Sequence, residues 1–305
     1  YDETNKTFEP AWARDAVNKL TQSTNKRIDW VWTNTATYTK SFGKNNLTAL
    51  VATEAKKNHS ESMFGYGTGL AVENEDYIYL DGVTAGKNVG ASASNYGMVS
   101  YFGKANYDYE GRYLASVTLR RDASSRLAKG NNADYFPSVS AGWRITSEKF
   151  MESTKTWLTD LKLRASWGII NLDYIPAEGY WNQKFTGGNI YIIGKDNNNT
   201  FANGWEEGRL PSTNVMAERA SKYNIGLDAT VLDGLNLTVD GYYQRRDRQW
   251  VEAGGKVSSV IGTRNRYING GIVDSWGVEL GANYAKEIAK DLKLTAGVNY
   301  TLSKN

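Results

Sequence analysis

Apolar and polar side chains alternate strictly over runs of about eleven residues, and this alternation limits the fold of the chain more than any other feature. In the clearest run, at 292–303, polar residues or glycine separate the apolar residues Leu292, Leu294, Ala296, Val298, Tyr300 and Leu302. A period of two indicates a β-strand whose two faces meet different media. A tilted strand needs about 9 to 11 residues to cross a bilayer, whereas soluble strands usually have about five or six, so the length favours a membrane-spanning strand.

The alternation recurs along the chain and predicts ten strands, near residues 27–39, 46–57, 96–109, 112–122, 134–145, 160–170, 222–232, 235–247, 271–284 and 292–303. Short connections are predicted at 43–44, 110–111, 146–159, 233–234 and 285–291, and long ones at 58–95, 123–133, 171–221 and 248–270. Alternating short turns and long loops are typical of transmembrane barrels. We therefore predict an all-β fold, a segment of a transmembrane antiparallel β-barrel, with residues 1–305 as one partial domain.

Tyrosine and tryptophan side chains stand near many predicted strand ends. The candidates are Tyr107, Tyr109, Tyr113, Trp143, Tyr223, Tyr243, Tyr284 and Tyr300. Such rings favour the headgroup level of a membrane, where one edge is apolar and the other hydrated. We interpret them as parts of aromatic girdles, and the alternative for any single ring is packing in a soluble β core.

The opposite strand face carries charge. The charged residues predicted on it are Arg112, Arg120, Asp122, Arg144, Lys162, Arg164, Asp228 and Asp240. In a barrel they would line a hydrated lumen or contact a plug, where charge is tolerated. In a soluble sandwich the same residues would form an ordinary solvated face.

Composition excludes several other classes of protein. No stretch reaches the roughly 18 consecutive apolar residues that a membrane-spanning helix needs. The chain has no Cys, which removes disulfides, thiolate metal sites and cysteine nucleophiles. Its net charge of +3 is spread without a basic block, so we predict no nucleic-acid partner. No signal-like segment opens the chain at Tyr1, so any export signal would lie outside this sequence.

Three short motifs resemble chemical sites but lack the surroundings that such sites need. His59, the single histidine, lies in the polar segment KKNHSES, where we expect a solvated loop residue rather than a catalytic base. The segment GYGTG at 65–69 does not open a helix after a parallel strand, so we expect a flexible loop rather than a phosphate site. Residues 196–199 lack the spacing of a calcium loop, and we expect an Asn-rich surface turn. No spacing of carboxylates marks a glycosidase pair. We predict no catalytic residue, no metal site and no cofactor.

Four segments carry a family resemblance. The longest, 101–150, contains the elements FPS at 136–138 and GWR at 142–144. The others are LKLRASWGIIN at 161–171, ERASKYNIGLDATVLDGLNLTVDGYYQRR at 218–246 and VDSWGVELGANY at 273–284. Together and in this order they resemble TonB-dependent outer-membrane transporters of the SusC/RagA type.

The resemblance implies a larger barrel of roughly 22 strands with an N-terminal plug, of which this chain would be an internal segment. It also implies a non-enzymatic protein of the outer membrane of a Gram-negative bacterium, surrounded by the lipid bilayer. Such a protein would import a nutrient such as a glycan oligomer or a peptide. A SusD-like lipoprotein would cover its mouth, and the TonB complex would act through the plug. The residues alone leave two alternatives open: a passive porin or structural surface barrel, and a soluble all-β carbohydrate-binding module.

The predicted long connection at 171–221 is the candidate contact segment. It carries the aromatic residues Tyr180, Trp181, Tyr191, Phe201 and Trp205. Exposed rings gathered on one segment mark a contact surface. We predict that these rings stack on a sugar or peptide ligand or meet the lipoprotein. The alternative is that they pack inside the loop or against a neighbouring loop.

Overall fold

The computed structural model describes residues 18–70, 74, 76, 78–172, 179–193, 200–232, 234–253, 266–290 and 292–305. Twelve β-strands make up most of this described part: β1 Lys19–Phe42, β2 Asn45–Leu70, β3 Val83–Tyr109, β4 Tyr113–Ser124, β5 Ala133–Arg144, β6 Leu158–Leu172, β7 Phe185–Ile193, β8 Thr200–Glu207, β9 Glu218–Val231, β10 Leu235–Glu252, β11 Tyr267–Ala289 and β12 Leu292–Lys304. Short 3-10 helices cover Leu80–Gly82, Ile145–Ser147 and Lys149–Thr154. No helix in the described part is long and apolar enough to cross a membrane.

Ten of the strands form one sheet in the order β1-β2-β3-β4-β5-β6-β9-β10-β11-β12. Neighbouring strands of this sheet run antiparallel, for example β6 with β9 and β9 with β10. Each predicted strand is present, in the predicted order, so the all-β antiparallel fold is confirmed. β7 and β8 form a separate antiparallel hairpin within the predicted long connection at 171–221, and this hairpin was not predicted.

The chain divides into two compact units. The first comprises Tyr1–Val31 with Lys56–Tyr96, and the second comprises Trp32–Ala55 with Gly97–Asn305. The assignment of 1–305 to a single partial domain stays a prediction.

The predicted long connection at 58–95 was wrong, because β2 runs to Leu70 and β3 begins at Val83. Most residues at these strand ends are polar or small, so no alternation marked them. At about 3.3 Å per residue, a 26-residue strand extends roughly 85 Å, far more than a bilayer requires. A strand that continues beyond the bilayer meets water on both faces and needs no apolar face.

Two interpretations of short motifs depended on this predicted connection and are therefore also wrong. His59 lies in β2 rather than in a loop, with Nδ1 2.9 Å from Asn95 Oδ1 and Nε2 2.9 Å from Glu61 Oε1. The GYGTG segment is also part of β2 and not a flexible loop. A Cβ at Gly67 would collide with the side chain of Val83, which is buried, so this glycine allows close packing. The predicted turn at 196–199 lies outside the described residues.

The connection between β5 and β6 is held by Glu148. Its carboxylate accepts hydrogen bonds from Tyr113 Oη at 2.7 Å and Trp143 Nε1 at 3.1 Å, and it pairs with Arg112 at 3.4 Å. The hydrogen bonds from Tyr113 and Trp143, followed by the charge of Arg112, lower the pKa of Glu148. The carboxylate thus connects the beginning of β4 and the end of β5 to the 3-10 helices that follow β5.

The sheet has one apolar face across β6, β9, β10, β11 and β12. Direct cross-strand partners form an aliphatic row that ends in a tyrosine: Leu163, Leu227, Val239, Leu280 and Tyr300. Four residues further along the strands, an aromatic row is formed by Trp167, Tyr223, Tyr243 and Trp276. Two residues beyond it stand the charged partners Arg245 and Asp274, and Tyr243 Oη donates to Asp274 Oδ1 at 2.8 Å. Aromatic rings therefore separate the aliphatic part of this face from its charged margin.

Candidate ligand-contact surface

The polar face carries an ion-pair cluster at the centre of the sheet. Arg164 on β6 binds both carboxylate oxygens of Asp228 on β9, at 2.6 and 2.9 Å, and reaches Asp240 on β10 at 3.1 Å. Gly226 lies on β9 directly between Arg164 on β6 and Asp240 on β10, and a Cβ there would stand 2.7 Å from Arg164 Nη2 and collide with Asp240 Oδ1. The missing side chain of Gly226 is what lets the guanidinium lie across β9.

A second cluster on the polar face is centred on Arg120 of β4. Its Nε donates to Asp122 at 2.7 Å, and its Nη2 contacts Ser100 at 2.9 Å and Glu54 at 3.4 Å. Asp122 and Ser100 are buried, and the Arg120 guanidinium lies 5.1 Å from the ring centre of Phe102. These partners span β2, β3 and β4, so the charge of the polar face is organised across strands.

Not all the predicted charges belong to this face. Arg112 lies in the turn between β3 and β4, where it binds Glu148, so its assignment to a strand was wrong. Arg144 keeps its predicted place on the polar face, opposite Lys162, as the last residue of β5, and it pairs with Asp160 at 3.2 Å near the start of β6. Both arginines stabilise the ends of strands with short connections. The predicted strand began at residue 112, one residue before β4 begins at Tyr113, and this placed Arg112 on the face.

The β6–β7 connection meets the neighbouring ends of β10 and β11 in an aromatic cluster, defined as Tyr180, Trp181, Trp250 and Tyr267. Tyr180 is 4% exposed, and its ring meets those of Trp181 and Trp250 edge to face at centroid distances of 4.9 and 4.6 Å. Trp250 and Tyr267 are 6.0 Å apart, and the Arg209 guanidinium lies 4.4 Å from the ring centre of Tyr267. The rings therefore form a continuous chain with a cation at one end.

Burial controls the ionisation of Tyr180. It raises the pKa of the Tyr180 phenol to about 12, and a contact with the Ala128 backbone only partly counters this rise. The hydroxyl makes no well-formed hydrogen bond to another described residue. Tyr180 thus acts as an apolar ring at the base of the cluster.

The segment 209–217 is fastened beside the aromatic cluster by hydrogen bonds to several strands. Ser212 N donates to Tyr180 O at 2.9 Å, and Ser212 Oγ accepts from Tyr267 N at 2.9 Å. Met216 O accepts from Trp250 Nε1 and from Asn269 Nδ2, each at 3.0 Å. These hydrogen bonds join the segment to β10, to β11 and to the β6–β7 connection. The segment is therefore fixed to the end of the sheet.

A shared aspartate ties the same end together. Asp134 on β5 pairs with Arg219 of β9 and, at 3.2 Å, with Arg248 of β10. Arg248 has a left-handed backbone, with φ of 56°, at a shift in the β10–β11 register. The bulge turns Arg248 toward Asp134 on β5, a strand with which β10 does not pair. Asp134 thus connects β5, β9 and β10 at this end of the sheet.

The five predicted contact residues have different surroundings. Tyr180 is buried inside the aromatic cluster, Trp181 is half-buried beside it, and Trp205 on β8 is 71% exposed. Tyr191 pairs with Ala202, and Phe201 with Ile192, in the β7–β8 hairpin, but their side chains lie outside the described part. Whether these residues touch a ligand stays a prediction.

Trp250 and Tyr267 were missed by the sequence reading. The predicted connection at 248–270 placed both in a loop, whereas β10 continues to Glu252 and β11 begins at Tyr267. An aromatic residue just beyond a predicted strand end was the available signal. Within the described residues, no group of three His, Asp or Glu side chains is arranged to hold a metal ion.

A long antiparallel sheet is typical of the wall of an outer-membrane β-barrel when one face is aliphatic and bordered by aromatic rings and the other face is charged. Residues 1–305 match the family described as TonB dependent receptor-like, beta-barrel. The chain belongs to this family, and it is of the SusC/RagA type, found in the outer membrane of Gram-negative bacteria.

Similar proteins include the TonB-dependent receptor SusC of Bacteroides thetaiotaomicron, 29% identical over 272 residues, which are 88% of this chain and 26% of SusC. The TonB-dependent receptor P3 of Formosa agariphila is 27% identical over 274 residues, or 89% of this chain and 26% of P3. The structure of the RagAB peptide transporter has a TM-score of 0.78 at 23% identity, covering 94% of this chain and 31% of that one, and it shows the shared fold. The chain spans about a quarter of the length of these curated relatives.

Proposed function

We propose that this chain forms part of the wall and outer rim of an active importer that is driven by the TonB complex and that works with a SusD-like lipoprotein. The observation that carries the proposal is the separation of the two sheet faces, with the Arg164 and Arg120 clusters on one and aliphatic rows on the other. Charged side chains are tolerated on a face that lines a hydrated path, and aliphatic side chains are favoured on a face that contacts lipid. Family membership favours this function over a passive porin.

The proposed substrate is a glycan oligomer or a peptide. The peptide is supported by the similar RagAB structure, which is that of a peptide transporter, and SusC is a TonB-dependent receptor of the same type. Aromatic rings can stack on the flat faces of sugars or pack on peptide side chains. The exposed ring of Trp205 and the half-buried ring of Trp181 are the proposed contacts, and Tyr180 would support Trp181 from below.

The test replaces Trp181 and Trp205 with Ala, singly and together, in the full-length transporter. Surface abundance, nutrient uptake and association with the lipoprotein are measured separately. Loss of uptake with the lipoprotein still bound supports ligand contact, whereas loss of lipoprotein binding supports a partner surface. If both readouts stay at the wild-type level, the loop is not the contact site.

Trp157→Ala is the matched control. Trp157 is also an exposed tryptophan, but it lies in the short connection between β5 and β6, at the other end of the strands. We expect this variant to import and to bind the lipoprotein as the wild type does. A transport loss equal to that of Trp205→Ala would mean that both losses reflect reduced folding.

A further inference from the structure

An open groove lies on the apolar side of β1 to β5 in the second compact unit. Its lining includes Val51, Tyr101, Gly103, Leu119, Arg121 and Tyr135. Arg121 is the one charged residue among the described residues that line it. The groove is therefore largely apolar, and the Arg121 guanidinium is the charged group found in it.

Gly103 leaves space in the groove because it has no side chain. It pairs directly with Leu119 across the β3–β4 ladder and contributes no side chain of its own. A Cβ added at Gly103 would meet its nearest heavy atom, the backbone oxygen of Leu50, only at 3.8 Å. An extended hydrocarbon chain can lie over this position in contact with Leu119 and Val51.

Arg121 stands two residues from Leu119 on the same face of β4, toward the 125–132 connection. Its direct partners are Tyr101 on β3 and Tyr135 on β5, and its guanidinium lies 6.0 Å from the ring centre of Tyr135. Both tyrosine side chains are more than half exposed. The neighbouring Arg120, on the other face, is paired with Asp122 and Glu54. Among the described residues, the contact found for Arg121 is an aromatic ring and not a carboxylate.

We propose that Arg121, Tyr101 and Tyr135 bind the phosphate group of an outer-leaflet lipid, with an acyl chain of that lipid lying in the groove over Gly103 and Leu119. A guanidinium matches phosphate oxygens with paired N–H donors, and tyrosine hydroxyls are suited to the headgroup level. An arginine at the margin of a lipid-facing wall is tolerated best where an anionic headgroup reaches it. The inference rests on the outer-membrane location of the chain and not on the proposed import.

The test uses the full-length protein in detergent and counts bound lipid by native mass spectrometry. The probes are lipid A with its phosphates, the same lipid A after removal of the phosphates, and inorganic phosphate. We expect Arg121→Gln to weaken binding of the phosphorylated lipid about ten-fold, because a charged hydrogen-bond partner is lost. Removing the phosphates should weaken binding to the wild type by a similar factor.

Two further variants keep the outcome decisive. Arg245→Gln removes another arginine from the same side of the sheet, one already close to Asp274, and should bind lipid A within about two-fold of the wild type. Gly103→Leu leaves Arg121 in place and fills the groove, so it should weaken lipid binding by about five-fold or more.

Equal losses in Arg121→Gln and Arg245→Gln would overturn the proposal, because they would indicate a general charge effect. Unchanged binding in Arg121→Gln or in Gly103→Leu would also overturn it. Inorganic phosphate that bound as tightly as the lipid would show that the groove contributes nothing and that an anion site, not a lipid site, is present.

Discussion

Arg164 and Asp240 form an ion pair across an intervening strand: the guanidinium on β6 passes over Gly226 of β9 and meets the carboxylate on β10 at 3.1 Å. The charge of Asp228 holds the same guanidinium from the strand in between. Three neighbouring strands are thus joined by side chains in addition to their backbone ladders. The polar wall has a fixed charge pattern as a result.

Gly226→Ala should separate Arg164 from Asp240, since the new methyl group would occupy the path of the guanidinium. In the full-length protein, Asp240→Asn should lower the free energy of unfolding by about 1 kcal/mol alone and by almost nothing in the Gly226→Ala background, because the pair is partly exposed. Urea unfolding in detergent measures both. Gly241→Ala is the control, because its Cβ would meet only Ile225 at an ordinary 3.8 Å. Additive effects of Gly226→Ala and Asp240→Asn would contradict this account.

Arginine on the apolar face should be costly. Leu237 pairs with Ala229 and Ala282, and Val298 also pairs with Ala282, within the aliphatic part of the face. Replacing either with Arg should cost about 2–4 kcal/mol if it lies at mid-depth in the bilayer.

The adjacent residues Thr238 and Asn299 point to the polar face and serve as controls. Arg at these two positions should be tolerated far better. Folded protein in the outer membrane is the readout, and equal tolerance on the two faces would reject the assignment of the apolar face to lipid.

Residues 1–305 produced alone should not remain monomeric in aqueous buffer. Many aliphatic and aromatic side chains of the sheet are exposed, including Ile225, Val298 and Trp276, and β1 and β12 end the strand order. Unpaired strand edges and uncovered apolar faces promote association. Light scattering and thermal melting without detergent provide the check, and a cooperatively melting soluble monomer would favour a soluble module instead.

The stability of the outer rim should fall at high pH through Tyr180. Its pKa is raised to about 12, above the value of about 10 for an unfolded tyrosine, so the neutral phenol stabilises the folded state. This contribution is complete below pH 10 and is lost as the pH rises through 12. The ultraviolet difference titration of wild type against Tyr180→Phe should show a phenol that ionises near pH 12.

Tyr180→Phe keeps the ring contacts with Trp181 and Trp250 and removes a buried hydroxyl without a well-formed partner. We expect the variant to unfold within about 1 kcal/mol of the wild type at neutral pH, because losing an unpaired polar group costs little. A difference titration centred near pH 10 would mean that the ring is exposed to water, and the aromatic cluster would then be wrongly described.

The ten strands of the sheet could be predicted because the two faces of a strand meet different media. Apolar and polar residues then alternate along the strand with a period of two. Leu292 to Leu302 showed it without any knowledge of neighbouring strands. The ends of β2 and β3 could not be predicted in this way. His59 and Gly67 lie near the end of β2, where most residues on both faces are polar or small, so the sequence shows no alternation there.

The sequence by itself determined the all-β fold and the apolar face, because these depend on the residue pattern along each strand, and it determined the antiparallel order and the family, because these depend on connection lengths and on the order of segments along the chain. Only the tertiary structure decided which residues meet across strands. Arg164 finds Asp240 through a gap left by Gly226, and Tyr180 is buried by Trp250, which lies 70 positions further along the chain. Such contacts depend on strand register and on hydrogen bonds such as that of Ser212 to Tyr180, and neither has a local signature in the sequence.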